Sequence, residues 1–285
     1  MANVRDIRRR IRSAKNIQQI TRAMKFVSAA RLRRAQDQVI AARPYARQMV
    51  AVLNSLATRV PKQAHPLLAE RGDDHIELVV ITADRGLCGA YNTNIIRHAL
   101  EFLTDHSGRK VELNILGKRG RDFFRRRPYP VRHEVINVLQ KPSFSDAAAI
   151  AKDLIEEFSK GIMDQVWLVY NEFKSVVQQR VVVEPLLPIP RLENPDYASR
   201  IEYLYDEPPA QIFANLLPRH VEAQIFRALL EASASEHGAR MAAMEAATNN
   251  AAEMIEDLTL YANKVRQAGI TNELIEIVSG AVSTE

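Results

Sequence analysis

Hydrophobic side chains recur every three or four residues along the first part of the chain, at Val4, Ile7, Ile11, Ala14, Ile17, Ile20, Met24 and Val27. That spacing predicts an amphipathic helix. Residues 3–58 contain no glycine and one proline, Pro44, so the helix is expected to run to about residue 58. The intervals average about 3.3 residues, below the 3.6 of a straight helix, so the stripe drifts and a partner following it wraps left-handed. A second long helix is predicted from Pro218, because proline suits the first helical position. Val221, Ile225, Ala228, Ala232, Ser235, Ala239, Ala242 and Ala246 alternate by four and three; after an offset, Ile255, Leu258, Ala262, Val265 and Gly269 resume the alternation. This heptad seam is built mostly from small residues, which lets a facing backbone come close. About 60 residues at 1.5 Å each give a rod of roughly 90 Å. Neither segment contains an internal cap. The two ends of the chain are therefore expected to pair as an antiparallel coiled coil.

The middle of the chain changes period. Strand-like runs at 76–83, 111–117, 131–139 and 165–173 alternate with helical stretches at about 92–104, 118–126 and 146–160. Strands alternating with helices predict a parallel sheet with crossovers. The run "SVVQQRVVVEPLLPI" reads as a further strand, antiparallel at an edge, and the five prolines of 188–209 mark a linker. The expected class is α/β, divided as an N-terminal helix (1–58), a globular domain with linker (59–209) and a C-terminal helix (210–285).

Composition narrows this picture. With 47% hydrophobic and 26% charged residues the chain is expected to fold as a soluble protein. No run of about 18 apolar residues exists to span a membrane. A single cysteine excludes an internal disulfide. The net charge of +5 hides an asymmetry: residues 1–50 hold 13 Lys or Arg against Asp6 and Asp37, whereas residues 210–285 hold 5 basic and 10 acidic residues. A basic arm of this kind suggests nucleic acid or an acidic surface. A basic coiled-coil nucleic-acid-binding protein is thus the alternative reading, although the apolar stripe running through the arm would be wasted in a groove. The opening is Arg-rich with serine, like an organelle leader, but the helical pattern runs through it unbroken and no cleaved leader is expected.

The candidate chemistry lies in "ITADRGLCGAYNTN" (81–94), a glycine turn between a strand and a helix. A dinucleotide site needs G-x-G-x-x-G and an acidic residue closing the second strand; here the turn is G-x-x-G, and the second strand ends in Leu116-Gly117. No lysine follows Gly89 as a P-loop requires. Cys88 has no nearby base other than His98, and reads as a small buried residue rather than a nucleophile. The seven histidines show no metal-ligand spacing. Asp84 and Arg85 fit a cap, a surface ion pair or a partner contact. No catalytic, cofactor or metal residue is assigned.

Four stretches carry a resemblance that covers nearly the whole chain: "ITRAMKFVSAARLRRAQ" (20–36), "ITADRGLCGAYNTN" (81–94), "SEHGARMAAMEAATNNA" (235–251) and "YANKVRQAGITNELIEIVSGA" (261–281). The sequence resembles the gamma subunits of F-type ATP synthases, with small departures at Ala83, Ala90, Gly238 and Gly269. The resemblance implies a non-catalytic central rotor: a left-handed antiparallel coiled coil of the two ends plus a Rossmann-like central domain with a mostly parallel sheet that binds no nucleotide. It implies three alpha and three beta subunits around the coiled coil, an epsilon subunit and a membrane ring of c subunits at the central domain, and only indirect membrane association. By position, Met24 and Lys25 would face a beta subunit. Arg240, Arg266, Gln267 and Thr271 would meet loops of the surrounding ring, "LIEIVSGAV" (274–282) would form the tip, and Tyr203 and Tyr205 would touch epsilon. With one cysteine and no plastid-type insertion, the expected source is bacterial, on the cytoplasmic face of the cell membrane.

Overall fold

The computed structural model describes residues 4–57, 65–175, 179–190 and 207–282. These form two compact units: one of the described residues within 1–28 and 241–285, the other within 29–240. Two long helices contribute to both, α1 (Val4–Ala57) and α5 (Pro209–Val282).

The larger unit is built on a five-stranded sheet. Its strands are β1 (His75–Ile81), β2 (Lys110–Leu116), β3 (Val131–Val135), β4 (Gln165–Phe173) and β5 (Gln179–Leu187), in the spatial order β3-β2-β1-β4-β5. The first four are parallel, with Ile76 beside Val111 and Leu78 beside Trp167. β5 closes one edge antiparallel to β4, and its Pro185 lies next to a bulge, a position where an edge strand tolerates the missing N–H. The crossovers are α2 (Tyr91–Asp105), α3 (Lys118–Phe124) and α4 (Phe144–Ser159). At the start of α4 the Ser143 hydroxyl accepts from Asp146 N at 3.2 Å, the cap expected of a serine before a helical run.

Both sheet faces are covered, which is why β1 is buried at every position after His75 and apolar at most of them. Leu78 and Val80 pack with Ile95, Ala99 and Phe102 of α2. Val79 and Ile81 pack on the other face with Leu154 and Phe158 of α4, Leu53 and Leu56 of α1, and Leu217, Val221 and Ile225 of α5. Glu77 breaks the pattern. It is fully buried, and its carboxylate accepts from Asn114 Nδ2 at 3.0 Å. Burial pushes its carboxyl above the usual range.

One expectation is corrected here. The C-terminal helix begins at Pro209, so Pro218 lies inside it rather than at its start. Proline suits Pro209, the first helical residue. The interior Pro218 costs about 3 kcal/mol in isolation, but the burial of Phe213, Leu217, Val221 and Ile225 around it holds the helix through that point.

Candidate functional site

The order of the parallel strands reverses between β1 and β4, and in open α/β sheets the ligand crevice lies at the carboxyl ends of the strands at such a point. The glycine turn stands there. Asp84 organises it: Oδ1 accepts from Lys118 N at 3.0 Å and from Asn137 N at 2.9 Å, tying the segments that follow β1, β2 and β3. Asn92 Oδ1 accepts from Ala83 N at 2.9 Å and fixes the start of α2 against the turn. Gly117 follows β2 with φ +109°, and a Cβ there would sit 1.9 Å from Thr82 O. Leu87 adopts φ 63° with its side chain 63% exposed, an uncommon conformation for a bulky residue.

The crevice is filled by the chain itself. Tyr91 Oη donates to Ala232 O at 3.0 Å, Ser233 Oγ to Leu139 O at 3.0 Å, and Ser235 Oγ to Asn171 O at 3.0 Å. Arg240 is 7% exposed; it donates to Glu236 Oε1 at 2.6 Å and to the Gly86 carbonyl at 3.4 Å. Burial raises the Glu236 carboxyl, and the adjoining guanidinium opposes that rise. His237 is pushed down to about 4, first by burial and then by Arg240 and Arg31. Cys88 is buried, its Sγ takes a 3.3 Å hydrogen bond from Asn92 Nδ2, and burial pushes the thiol up. A raised thiol is a poor nucleophile, so the small buried residue is the reading the geometry supports. The turn's Gly86 carbonyl accepts from an arginine of α5, and Gly89 takes φ +57°, a turn conformation that favours glycine.

In the smaller unit, α1 and α5 run antiparallel, with Thr21 opposite Thr248 (Oγ1–Oγ1 2.8 Å) and Lys25 opposite Glu245 (Nζ–Oε1 2.6 Å). The buried positions of α1 here are Ile7, Ala14, Thr21 and Ser28, one per heptad. The expected stripe therefore leaves the seam. Ile17, Ile20 and Val27 are 51%, 59% and 53% exposed, and Phe26 beside them is 62% exposed. The physical reason is the drift itself: a stripe of period 3.3 turns away from a contact line that advances one heptad at a time. On α5, Met244 and Ala251 are buried, while Ala242 and Ala246, expected in the seam, are exposed. Gly269 faces open space rather than a partner helix.

Met24 and Lys25 are half-buried at the edge of this seam. Arg266, Gln267 and Thr271 are exposed, as a partner contact requires, and Thr271 Oγ1 donates back to Gln267 O at 3.0 Å. Arg240 is enclosed within the larger unit, where its guanidinium is held by Glu236 and the Gly86 carbonyl. The i,i+4 spacing of Glu236 and Arg240 is the local signal for that pairing. Tyr203 and Tyr205 lie outside the described residues, as do the side chains of residues 276–282 at the tip. The amino-acid pattern alone does not single out Phe26 or Glu245; counting heptads from Ile7 places Phe26 off the seam. Among the described residues no cluster of His, Cys, Asp and Glu could hold a metal ion, and no helix is long and apolar enough to cross a membrane.

Comparison with known proteins bears on the whole chain. The family model described as ATP synthase matches residues 3–283. The ATP synthase gamma chain of Solibacter usitatus is 52% identical over 100% of both chains, and that of Desulfitobacterium hafniense is 48% identical, again over 100% of both. Among solved structures, a chain from the central stalk and c-ring of the Tetrahymena thermophila mitochondrial ATP synthase is similar with a TM-score of 0.61 and 27% identity, covering 80% of this chain and 99% of that one. A chain of the Euglena gracilis mitochondrial ATP synthase has a TM-score of 0.69 at 22% identity, covering 99% and 94%, and shares the fold. With full-length identity near one half and a family match from end to end, this chain belongs to the gamma-chain family of the ATP synthases.

Proposed function

We propose that this chain is the central rotor shaft of an F-type ATP synthase, carrying torque between an ion-driven membrane ring and the catalytic beta subunits. Beyond family membership, the observation that carries this reading is the outward band of the smaller unit. Ile17, Ile20, Phe26 and Val27 on α1, and Leu260, Tyr261, Ile270, Leu274 and Ile275 on α5, are large apolar side chains left exposed. Apolar surface on this scale marks a contact site, and Arg266, Gln267 and Thr271 supply polar groups beside it.

The partners of this reading are three alpha and three beta subunits around the coiled coil, with an epsilon subunit and the c-ring at the central domain. The chain attaches to the cytoplasmic face of a bacterial cell membrane through the complex alone. It makes and breaks no bonds. In this reading the shaft is asymmetric, so each beta subunit meets different contacts at each rotor angle. Differential contact shifts which beta conformation is populated, and rotation moves that bias from site to site.

The test is affinity capture of a tagged chain from mildly solubilised membranes. Alpha, beta, epsilon and c subunits are expected in the captured material in constant ratio. A chain recovered without alpha and beta subunits would refute the assignment.

A further inference from the structure

The segment of α5 from Ala228 to Arg240 is enclosed on every side. Each described residue there is buried apart from Glu231, which is half-buried. A helix on a globular core normally keeps one face in water. Its surface in this stretch is mostly small: Ala228, Ala232, Ala234 and Ala239. A cylinder of small side chains packs closely but offers no lever against turning about its own axis. The directional contacts come instead from hydrogen bonds to main-chain carbonyls.

We propose that the crevice at the carboxyl ends of the sheet is a torque seat, in which Tyr91, Ser233, Ser235 and Arg240 key α5 against rotation relative to the sheet. This rests on the rotor reading above and names the residues that transmit the torque. Ser233 reaches Leu139 O in the turn after β3 and Ser235 reaches Asn171 O in β4, both at 3.0 Å and on separate segments of the larger unit. Two residues apart on a helix is about 200° around its axis, so the two hydroxyls hold α5 from nearly opposite sides. Tyr91 grips the main chain one residue before Ser233, donating from α2 to Ala232 O at 3.0 Å. Arg240, about two turns along, reaches Gly86 O at 3.4 Å while Glu236 holds its guanidinium at 2.6 Å. Turning α5 by about 30° carries a serine hydroxyl roughly 2 Å along its arc, judged from a Cα radius of about 2.3 Å plus the side chain. That displacement breaks a hydrogen bond. The place where a related sheet would cradle a nucleotide is here used to hold a shaft.

The experiment uses the complete ATP synthase in membrane vesicles, carrying the triple variant Y91F/S233A/S235A. ATP hydrolysis, ions pumped per ATP, complex yield and thermal midpoint are measured. Single-molecule recording of the angular fluctuation of a probe fixed to the central domain accompanies them. The complex is expected in normal yield with hydrolysis within about two-fold of wild type. Pumping per ATP falls at least three-fold and the angular fluctuation widens at least two-fold. T259A, which removes an exposed hydroxyl bonded only within α5 at 2.6 Å, leaves all readings unchanged. An intact complex with wild-type pumping ratio and wild-type fluctuation overturns the seat while the rotor reading stands. Failure of the wild-type chain to recover alpha and beta subunits overturns the rotor reading itself. If the triple variant yields no complex, the near-isosteric S233A/S235A is read by the same assays, and unchanged stiffness there overturns the proposal.

Discussion

Replacing Gly117 by alanine tests how tightly the turn region is built. The residue has φ +109° and ψ 144°, a region open essentially to glycine alone, which costs about 1–3 kcal/mol for other residues. The added Cβ would also lie 1.9 Å from Thr82 O, far inside any real contact. Relief requires the backbone at residues 116–117 to shift away from Thr82. That motion strains Thr82 N to Leu116 O at 2.7 Å and Gly117 N to Val135 O at 2.8 Å. Two main-chain hydrogen bonds at about 1 kcal/mol each add to the conformational cost. The sum is about 3–5 kcal/mol, or roughly 10 °C in Tm at about 2–4 °C per kcal/mol. Gly72 supplies the control. Its φ is +125°, but nothing lies within 4 Å of the place an alanine methyl would take, so G72A suffers the conformational cost alone. Gly269 supplies the opposite case. It sits in exposed helix with open space around it, where alanine gains up to about 1 kcal/mol. Thermal unfolding of the full chain at low concentration, followed by circular dichroism, is expected to rank G269A at or above wild type, then G72A, then G117A. If G117A melts together with G72A, the close approach to Thr82 does not limit stability and the reasoning fails.

Three other outcomes are expected. The charge reversal K25E/R266E impairs ATP-driven ion pumping in vesicles more than deletion of residues 280–285 does, because torque is spread along the coiled coil rather than concentrated at the tip; abolition by the deletion with an unaffected double reversal would show the opposite. His220 and His237 are each held down to about 4, mainly by burial, while the unfolded chain takes up a proton near 6.5. Stability is therefore present above pH 6.5 and lost as pH falls towards 4, by at most about 3 kcal/mol per histidine. H220Q/H237Q flattens the Tm profile between about pH 7 and 5, the range in which the unfolded histidines take up their protons, and an unchanged slope would place the acid sensitivity elsewhere. Calorimetry of the isolated chain detects neither ATP nor NAD binding, since α5 fills the crevice; micromolar affinity for either would contradict the packing of Ser233, Ser235 and Arg240.

Much of the architecture is legible in the amino-acid sequence. The run at 165–173 is β4 residue for residue, and the run at 111–117 is offset from β2 by a single residue. The antiparallel edge strand and the three crossover helices stand where composition and period place them. Such elements are set by neighbours in the chain: alternation of strand and helix, breakers between them, and apolar runs long enough to be covered on both faces. The four motif stretches likewise carry family membership without reference to any contact.

The faces and the partners are decided in three dimensions. Ile17, Ile20 and Val27 belong to the helical stripe by spacing, yet the seam passes through Ala14, Thr21 and Ser28, with Lys25 at its edge, because the opposing helix follows a heptad path. Arg240 is paired locally with Glu236 by i,i+4 spacing, but its hydrogen bond to the Gly86 carbonyl, 154 residues away in the chain, is made only in the fold. Asp84 fits a cap, a surface ion pair or a partner contact in the sequence; in the fold its carboxylate accepts from the amides of Lys118 and Asn137 and joins three loops, a role the sequence does not show. The spacing of the glycine turn matches no nucleotide motif, but only the folded chain shows that α5 lies in the crevice beside it. Local periodicity sets what kind of element a segment forms, because that depends on φ, ψ and the nearest side chains. Which side of the element is covered, and by what, depends on contacts between residues far apart in the chain, and those exist only once the whole sheet and both long helices are in place.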